Sequence, residues 1–407
     1  MKSFLKTPTA FFSVSAFVAT IALLCFSLQA RAYPEYATRY NIMSCTACHV
    51  SPSGGGPRTL NGKLFSAHGF KMNPFLVQPY VSADFRTIFY DPQNVKQSSD
   101  GMGVMSGSIA ANLPVDASHR IHLVVNQNVA GFSIAPTRSA YALFELSPND
   151  GRPHMFDDLM VGRIRPAFGI VTDEHRTYTH IQTGTMWYEF DTGAQLSGTP
   201  TPHIHYDLAL VNGTTIPSAG TTFGQDQAQQ FGGFFNIRYM PTWVMIGASG
   251  EYWPAAAGQA SQQALTLYSI ASIGRATWNR IPVDIKLEFD EARNEDSNLT
   301  TSGFISQTYV TALGAAQSQG AMAWVDYNVN NRLTLIYKYD YLVPDIDYGG
   351  DYFDRNGIGF RWFIGPGVDI QARTELAHVT ATNSAVQNDK TDWGTQNATF
   401  AFLQIEI

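Results

Sequence analysis

From residue 77 to the end of the chain, apolar and polar residues alternate with a period of two. In the stretch 283–290, Val, Ile, Leu and Phe alternate with Asp, Lys, Glu and Asp, and the stretches 204–211 and 368–376 repeat this pattern. Because successive side chains of a strand point to opposite faces, each stretch predicts a strand with one apolar face. No apolar stretch after residue 32 reaches the roughly 18 residues of a spanning helix.

The lengths of the connections distinguish a membrane barrel from a soluble β-sandwich, which shows the same alternation. From residue 203 onward, long polar connections alternate with short ones. The long ones lie near 213–229, 254–263, 291–319, 343–354 and 379–395, and the short ones at 239–243, 278–282, 328–332 and 364–367. This asymmetry is typical of outer-membrane barrels, which have short periplasmic turns and long external loops.

The pattern therefore predicts an all-β fold for residues 77–407: a transmembrane antiparallel up-and-down β-barrel of about sixteen strands. The strands are predicted to start near residues 78, 102, 119, 138, 157, 181, 203, 230, 243, 264, 281, 320, 332, 355, 367 and 396. Residues 304–318 are assigned to an external loop or lid, because another strand there would reverse the order of all later turns. Aromatic residues at strand ends predict interfacial girdles: Tyr239, Trp243, Tyr252, Trp253, Trp278, Tyr337, Tyr339 and Tyr341.

The composition excludes one class of partner, and the N-terminus predicts export of the chain. Only 14% of the 407 residues are charged, the formal net charge is −7, and no basic block follows a phosphate backbone, so nucleic-acid binding is excluded. Lys2 and Lys6 precede an uncharged apolar run over 11–28 and a small-x-small site that ends at Ala32. Residues 1–32 are therefore predicted to be a signal peptide cleaved near Ala32, with a retained anchor as the alternative.

The exported chain keeps two of the three cysteines, Cys45 and Cys48, and His49 follows them directly. Cys-x-x-Cys-His is the attachment signature of c-type haem, in which two thiols bind the porphyrin and the imidazole becomes the proximal iron ligand. An isolated disulfide and a zinc site are the competing interpretations. The motif predicts one covalently bound haem c, with His49 as its iron ligand.

Residues 33–76 form the predicted haem segment, and the second axial ligand lies in it. His68 is the first choice for that ligand, and Met72 and Met43 are the alternatives. The segment is short for an independently folding domain, so we expect it to pack against the barrel.

The signal peptide, the stretch 39–49 with its Cys-x-x-Cys-His motif, the stretch 60–70 and the barrel pattern together resemble the fused monohaem cytochrome-porins of bacterial outer membranes. The resemblance implies that Cys45 and Cys48 anchor the haem, that His49 is its proximal ligand and that the haem segment plugs the barrel lumen. It also implies location in the outer membrane of a Gram-negative bacterium, in contact with the lipid bilayer.

Two functions follow from this resemblance. The first is electron transfer between an extracellular donor, Fe(II) among them, and a periplasmic c-type cytochrome or other soluble carrier; Fe(II) oxidation would be its activity. The second is a diffusion porin or small-molecule transporter whose haem is a structural or sensory plug.

Further charged stretches are assigned to solvated loops. For the stretches 162–166 and 173–176, the alternative is a lumen constriction that faces the haem propionates. For two carboxylate clusters, the alternative is a site for a hard cation. The clusters are Asp345, Asp347, Asp351 and Asp354, and Asp290, Glu291, Glu295 and Asp296.

Overall fold

The computed structural model describes a closed β-barrel with one short helix between Val81 and Glu406. The described residues are 81–92, 101–118, 120–131, 137–147, 152–170, 177–183, 185, 190–212, 231–241, 243–255, 261–273, 281–294, 317–330, 332–346, 352–365, 368–380 and 397–406. The predicted signal peptide, residues 1–32, and the predicted haem segment, residues 33–76, lie outside the described residues.

Sixteen antiparallel strands form the barrel, and the helix α1 (Tyr178–Gln182) lies between the fifth and sixth. The strands are β1 (Val81–Pro92), β2 (Gly101–Pro114), β3 (Ile121–Gly131), β4 (Thr137–Glu145), β5 (His154–Ile164), β6 (Asp191–Thr201), β7 (Ile204–Val211), β8 (Gly232–Tyr239), β9 (Val244–Trp253), β10 (Gln262–Ser272), β11 (Val283–Arg293), β12 (Gln317–Asn328), β13 (Leu333–Val343), β14 (Tyr352–Gly365), β15 (Val368–Thr380) and β16 (Ala398–Glu406). A tilted strand of about 9–11 residues crosses a bilayer, so these strands are long enough to span one.

Each strand pairs with its neighbours in sequence, and β1 pairs with β16 to close the sheet. The closing register joins Phe85 to Ile405 and continues to Pro92 and Ala398. A closed sheet leaves no strand edge in the lipid, where an unpaired backbone N–H or C=O costs several kcal/mol. The predicted sixteen-strand antiparallel barrel is confirmed.

The connections at the two ends of the barrel differ in length, as the sequence pattern predicts. At one end they comprise 93–100, 132–136, 165–190, 212–231, 254–261, 294–316, 344–351 and 381–397. At the other end they comprise 115–120, 146–153, 202–203, 240–243, 273–282, 329–332 and 366–367. We call these the long-loop end and the short-turn end; β1 starts and β16 finishes at the short-turn end.

The outward face of the barrel is apolar. Side chains such as Ile358, Leu210 and Leu267 alternate with inward residues and are 69%, 57% and 52% exposed. A continuous apolar surface of this kind is untenable in water and is what a lipid-facing belt requires. No helix among the described residues is long and apolar enough to cross a bilayer.

The predicted sixth strand is misplaced. The sequence pattern predicts its start near residue 181, but β6 begins at Asp191 and α1 occupies residues 178–182. Of the stretch 304–318, which the sequence pattern assigns to an external loop or lid, residues 304–316 lie outside the described residues, and Gln317 and Ser318 belong to β12, so the assignment is wrong for these two.

The predicted aromatic girdles are correct only in part. Tyr239, Tyr252 and Tyr337 face outward and are about half exposed. Trp243, by contrast, is buried, and Trp253 packs edge-on against the inward Phe234 with ring centroids 5.6 Å apart. The pleat alternates the direction of successive side chains, so closeness to a strand end does not decide which face an aromatic ring occupies. Trp278 lies outside the described residues.

Candidate functional site: a constricted and charged lumen

The chain that follows β5 folds back into the barrel. We call residues 165–185 the inserted segment; its described residues are 165–170, 177–183 and 185. Phe168 and Ile170 are 2% and 1% exposed. The assignment of the stretch 162–166 to a solvated loop is wrong, because its first three residues belong to β5 and Ile164 is 0% exposed. The charged stretch 173–176 lies outside the described residues.

The first part of the inserted segment is held by its backbone. The amide of Gly169 donates to Ser249 Oγ at 3.0 Å, and the amide of Ile170 donates to Glu288 Oε2 at 3.0 Å. Gly169 has a φ of 54°, and a Cβ on it would lie 2.4 Å from Glu288 Oε1. Glycine is therefore required here both for the left-handed backbone and for the close approach to β11.

The second part, α1, is held by its side chains. Gln182 Nε2 donates to Ser318 Oγ of β12 at 2.8 Å, and His180 Nε2 lies 3.4 Å from Glu288 Oε1 of β11. The guanidinium of Arg355, on β14, lies 4.6 Å from the centroid of the Tyr178 ring. Since the inserted segment contacts inward residues of β9, β11, β12 and β14, it reaches across the lumen.

Local sequence does not stabilise α1 by itself. It spans five residues, its N-cap Thr177 makes no capping hydrogen bond through its side chain, and all five helical residues are buried. Isolated helices shorter than about 12 residues are marginal in water. Packing against the barrel wall, rather than helix propensity, therefore keeps this turn in place.

The inner wall from β11 to β15 carries a buried network of opposite charges. Its members pair between neighbouring strands or along one strand at 2.8–3.3 Å: Lys286 with Asp326, Lys338 with Asp340, Arg355 with Asp340 and Glu375, Arg361 with Asp369, and Arg373 with Glu375. Lys338 Nζ also donates to Thr177 Oγ1 of the inserted segment at 3.1 Å, which joins the network to the constriction.

The opposite side of the wall has a second polar network, centred on Asp207 of β7. Its carboxylate accepts from Ser197 Oγ at 2.7 Å, and it lies 3.1 Å from Arg238 Nη2 and 3.2 Å from His205 Nε2. These contacts offset the cost of burying the Asp207 carboxylate. The inside of this barrel therefore carries two polar networks beside two clusters of buried apolar side chains, and the inserted segment joins those clusters through Phe168 and Ile170.

The predicted haem residues Cys45, Cys48, His49 and His68, and the alternative ligands Met43 and Met72, lie outside the described residues. Of the two carboxylate clusters, Asp345 is buried, Asp354 lies 3.8 Å from His378 Nδ1, and the strand alternation turns Asp290 inward and Glu291 outward. Asp347, Asp351, Glu295 and Asp296 lie outside the described residues. Among the described residues, no three His, Cys, Asp or Glu side chains form a metal-binding group.

The sequence offered a lumen constriction only as the alternative for 162–166 and 173–176 and did not predict α1. Inward charges such as Lys286 and Lys338 give no signal of it, because a water-filled lumen carries such charges too. The residues that complete the site, from Phe168 to Gln182, have no period-two pattern and read as a loop.

Comparisons with known proteins agree with this fold. OmpF of Salmonella typhi in complex with daunomycin matches with a TM-score of 0.56 and 9% identity, over 80% of this chain and 97% of that chain. In-vitro folded OmpT, an outer membrane protein of Vibrio cholerae, matches with a TM-score of 0.53 and 10% identity, over 80% and 96%. The anion-selective porin from Comamonas acidovorans matches with a TM-score of 0.51 and 9% identity, over 80% and 98%.

No family model and no curated protein matches the chain. At these identities the structural matches show the fold alone. Together with the apolar outward face, they show an outer-membrane β-barrel whose fold resembles that of porins.

Proposed function

We propose that this protein is a porin-type outer-membrane channel for small hydrophilic solutes, and that it carries one c-type haem on its N-terminal segment as a structural or sensory group. The observation that carries the proposal is the inserted segment, which contacts inward side chains of several strands and narrows a charged lumen. Three of the matching structures are proteins called porin, OmpF or OmpT, which agrees with a channel.

The barrel's own residues explain how such a channel would select solutes. Charged side chains on β11, β13, β14 and β15 favour polar, hydrated solutes over apolar ones, and the inserted segment limits their size. The contacts that hold the inserted segment, including those of Gln182 with Ser318 and of Lys338 with Thr177, set the width of the passage.

The channel proposal is tested by single-channel conductance and liposome swelling. A variant in which residues 167–183 are replaced by a short Gly-Ser linker is expected to conduct more than the wild type and to admit larger sugars. Gln182→Ala is the smaller perturbation and is expected to change conductance in the same direction. If neither the wild type nor the linker variant conducts or admits sugars, the channel proposal fails.

The haem part of the proposal rests on the haem-binding residues in the sequence. Two thiols and an imidazole in the order Cys45, Cys48, His49 fit covalent haem, and His68 is the preferred second ligand. When bound, this group supplies a one-electron redox centre. Replacing both cysteines with Ala is expected to abolish haem staining after denaturing electrophoresis, and persistent staining would contradict the assignment.

The same motif favours a second candidate function, electron transfer between an extracellular donor such as Fe(II) and a periplasmic c-type cytochrome. Liposomes separate the two candidates. Under electron transfer, external Fe(II) reduces an enclosed soluble cytochrome through the wild type but not through His49→Ala, while sugars are excluded. Under the channel function, sugars pass and His49→Ala leaves their passage unchanged.

A further inference from the structure

The environment of Asp290 on β11 is unlike that of the paired carboxylates on the inner wall. A Lys or Arg nitrogen lies within 3.0 Å of each of Asp326, Asp340, Asp369 and Glu375. Asp290 is 0% exposed, and neither of its carboxylate oxygens has a hydrogen-bond partner. Within the described part of the chain, no ion pair reaches it either.

Asp290 is enclosed inside the barrel. The register places Thr266 of β10 on one side of it and Gly320 of β12 on the other. Toward the long-loop end, the next inward residue of β11 is Ala292, which is 0% exposed and belongs to an apolar cluster with Phe168 of the inserted segment. The carboxyl group therefore lies among wall strands and apolar side chains, out of contact with bulk water.

The helix α1 packs against the wall at the level of Asp290. A Cβ on Gly320, which pairs with Asp290, would lie 3.2 Å from Thr179 Cγ2 and would overlap Gln182 Oε1. Gln182 Nε2 also donates at 2.8 Å to the hydroxyl of Ser318, the neighbouring inward residue of β12. The helix that narrows the lumen and the Asp290 carboxyl therefore occupy the same level of the barrel.

The charged groups that face Asp290 do not compensate a negative charge on it. Glu288 on β11 and Glu251 on β9 are acidic and lie near enough to repel an ionised Asp290. On α1, His180 Nε2 lies 3.4 Å from Glu288 Oε1, so this imidazole pairs with Glu288 instead. The neighbouring inward residues on β10 and β12 do not titrate. An ionised carboxylate buried in this way is strongly disfavoured, and the group takes up a proton.

We infer that Asp290 is a proton-binding site that keeps the inserted segment in place. When the carboxyl releases its proton to the solvent, the carboxylate needs water, which α1 and the apolar cluster keep away. Ionisation therefore favours a state in which α1 has left β12 and water enters. Because the closed state binds the proton more tightly than this open state, a rise in pH increases the population of the open state. The inference rests on the proposed function in one respect, since the release of α1 is taken to widen the passage.

Infrared difference spectroscopy of the full-length protein in lipid vesicles detects the proton. At about pH 6, the C=O stretch of a buried protonated carboxyl is expected in the wild type and is expected to be weaker in Asp290→Asn. Asp354→Asn is the matched control, because it removes an outward carboxylate at the same end of the barrel, 3.8 Å from His378 Nδ1. This control is expected to keep the band, and heat-modifiable gel mobility checks that each variant is folded. A band that Asp290→Asn does not weaken would overturn the inference.

Hydrogen exchange of the peptide that contains residues 177–183 measures the release of α1. The wild type and Asp290→Asn are compared at the same pH, so intrinsic exchange rates cancel. At about pH 9 the wild type is expected to exchange about tenfold faster than Asp290→Asn, and at about pH 5 the two are expected to be equal. Asp354→Asn is expected to follow the wild type. Equal exchange in the wild type and Asp290→Asn at both pH values would contradict the inference.

Single-channel conductance separates this inference from the channel proposal. The wild-type conductance is expected to rise about twofold from about pH 5 to about pH 9, and that of Asp290→Asn is expected to stay constant. A barrel that conducts, with the same pH response in the wild type and Asp290→Asn, refutes the proton site and keeps the channel. Exchange that depends on Asp290, in a barrel that conducts at neither pH, refutes the channel and keeps the proton site.

Discussion

Replacing Asp340 with Asn would remove the charge that two buried cations share. The Asp340 carboxylate lies 3.0 Å from Lys338 Nζ and 2.9 Å from Arg355 Nη2, and the three side chains are 1% exposed. Asn keeps the size of the side chain, so the substitution removes a charge without opening a cavity. The two cations also contact the inserted segment, which makes this pair the main electrostatic link between the wall and the constriction.

The expected loss of stability depends on the contacts that Arg355 and Lys338 retain in the variant. Removing one partner of a buried ion pair costs about 3–5 kcal/mol, because the remaining charge stays buried. Arg355 still has Glu375 at 3.3 Å, and Lys338 still donates to Thr177 at 3.1 Å. We therefore expect Asp340→Asn to lower the free energy of unfolding by ~3 kcal/mol, the lower end of that range.

Urea unfolding in lipid vesicles, followed by tryptophan fluorescence, measures this difference. Asp354→Asn is the control, because its carboxylate lies 3.8 Å from a His378 side chain that is 62% exposed, and such pairs contribute about 0–1 kcal/mol. A cost for Asp340→Asn no larger than that of Asp354→Asn would refute the reasoning. It would mean that the lumen screens the network as bulk water does.

Two smaller predictions concern a glycine and a turn. Gly162→Ala places a Cβ 2.4 Å from the Ala140 carbonyl oxygen at a φ of 141°, so we expect it to lower the free energy of unfolding by about 1–3 kcal/mol. Gly233→Ala is the control in the same unfolding assay. A Cβ there meets nothing nearer than 4.0 Å, so this variant is expected to be nearly neutral. At the short-turn end, the hydroxyl of Ser118 and the Ile121 amide hold the pKa of Asp116 at about 2, below its ordinary 3.8. Stability from this depressed pKa is present above pH 4 and is lost as the pH falls toward 2, so Asp116→Asn is expected to be slightly less stable than the wild type at pH 7 and equal to it near pH 2.

The period-two pattern determined the barrel. Each strand of a porin-type wall needs one apolar and one polar face, and that requirement is local, so stretches such as 283–290 and 368–376 reveal it residue by residue. The alternation of long and short connections then set the strand order and the two ends. The Cys-x-x-Cys-His motif is local in the same sense, which is why the haem prediction comes from the sequence alone.

The constriction was decided by tertiary structure. The residues of α1 are buried because the wall surrounds them, and neither helix propensity nor capping distinguishes them from a loop. The direction of Trp243 and Trp253 likewise depends on the strand register and not on nearness to a strand end. The burial of Asp290 opposite Thr266 depends on the pairing of β11 with β10, which is a contact between separate parts of the chain.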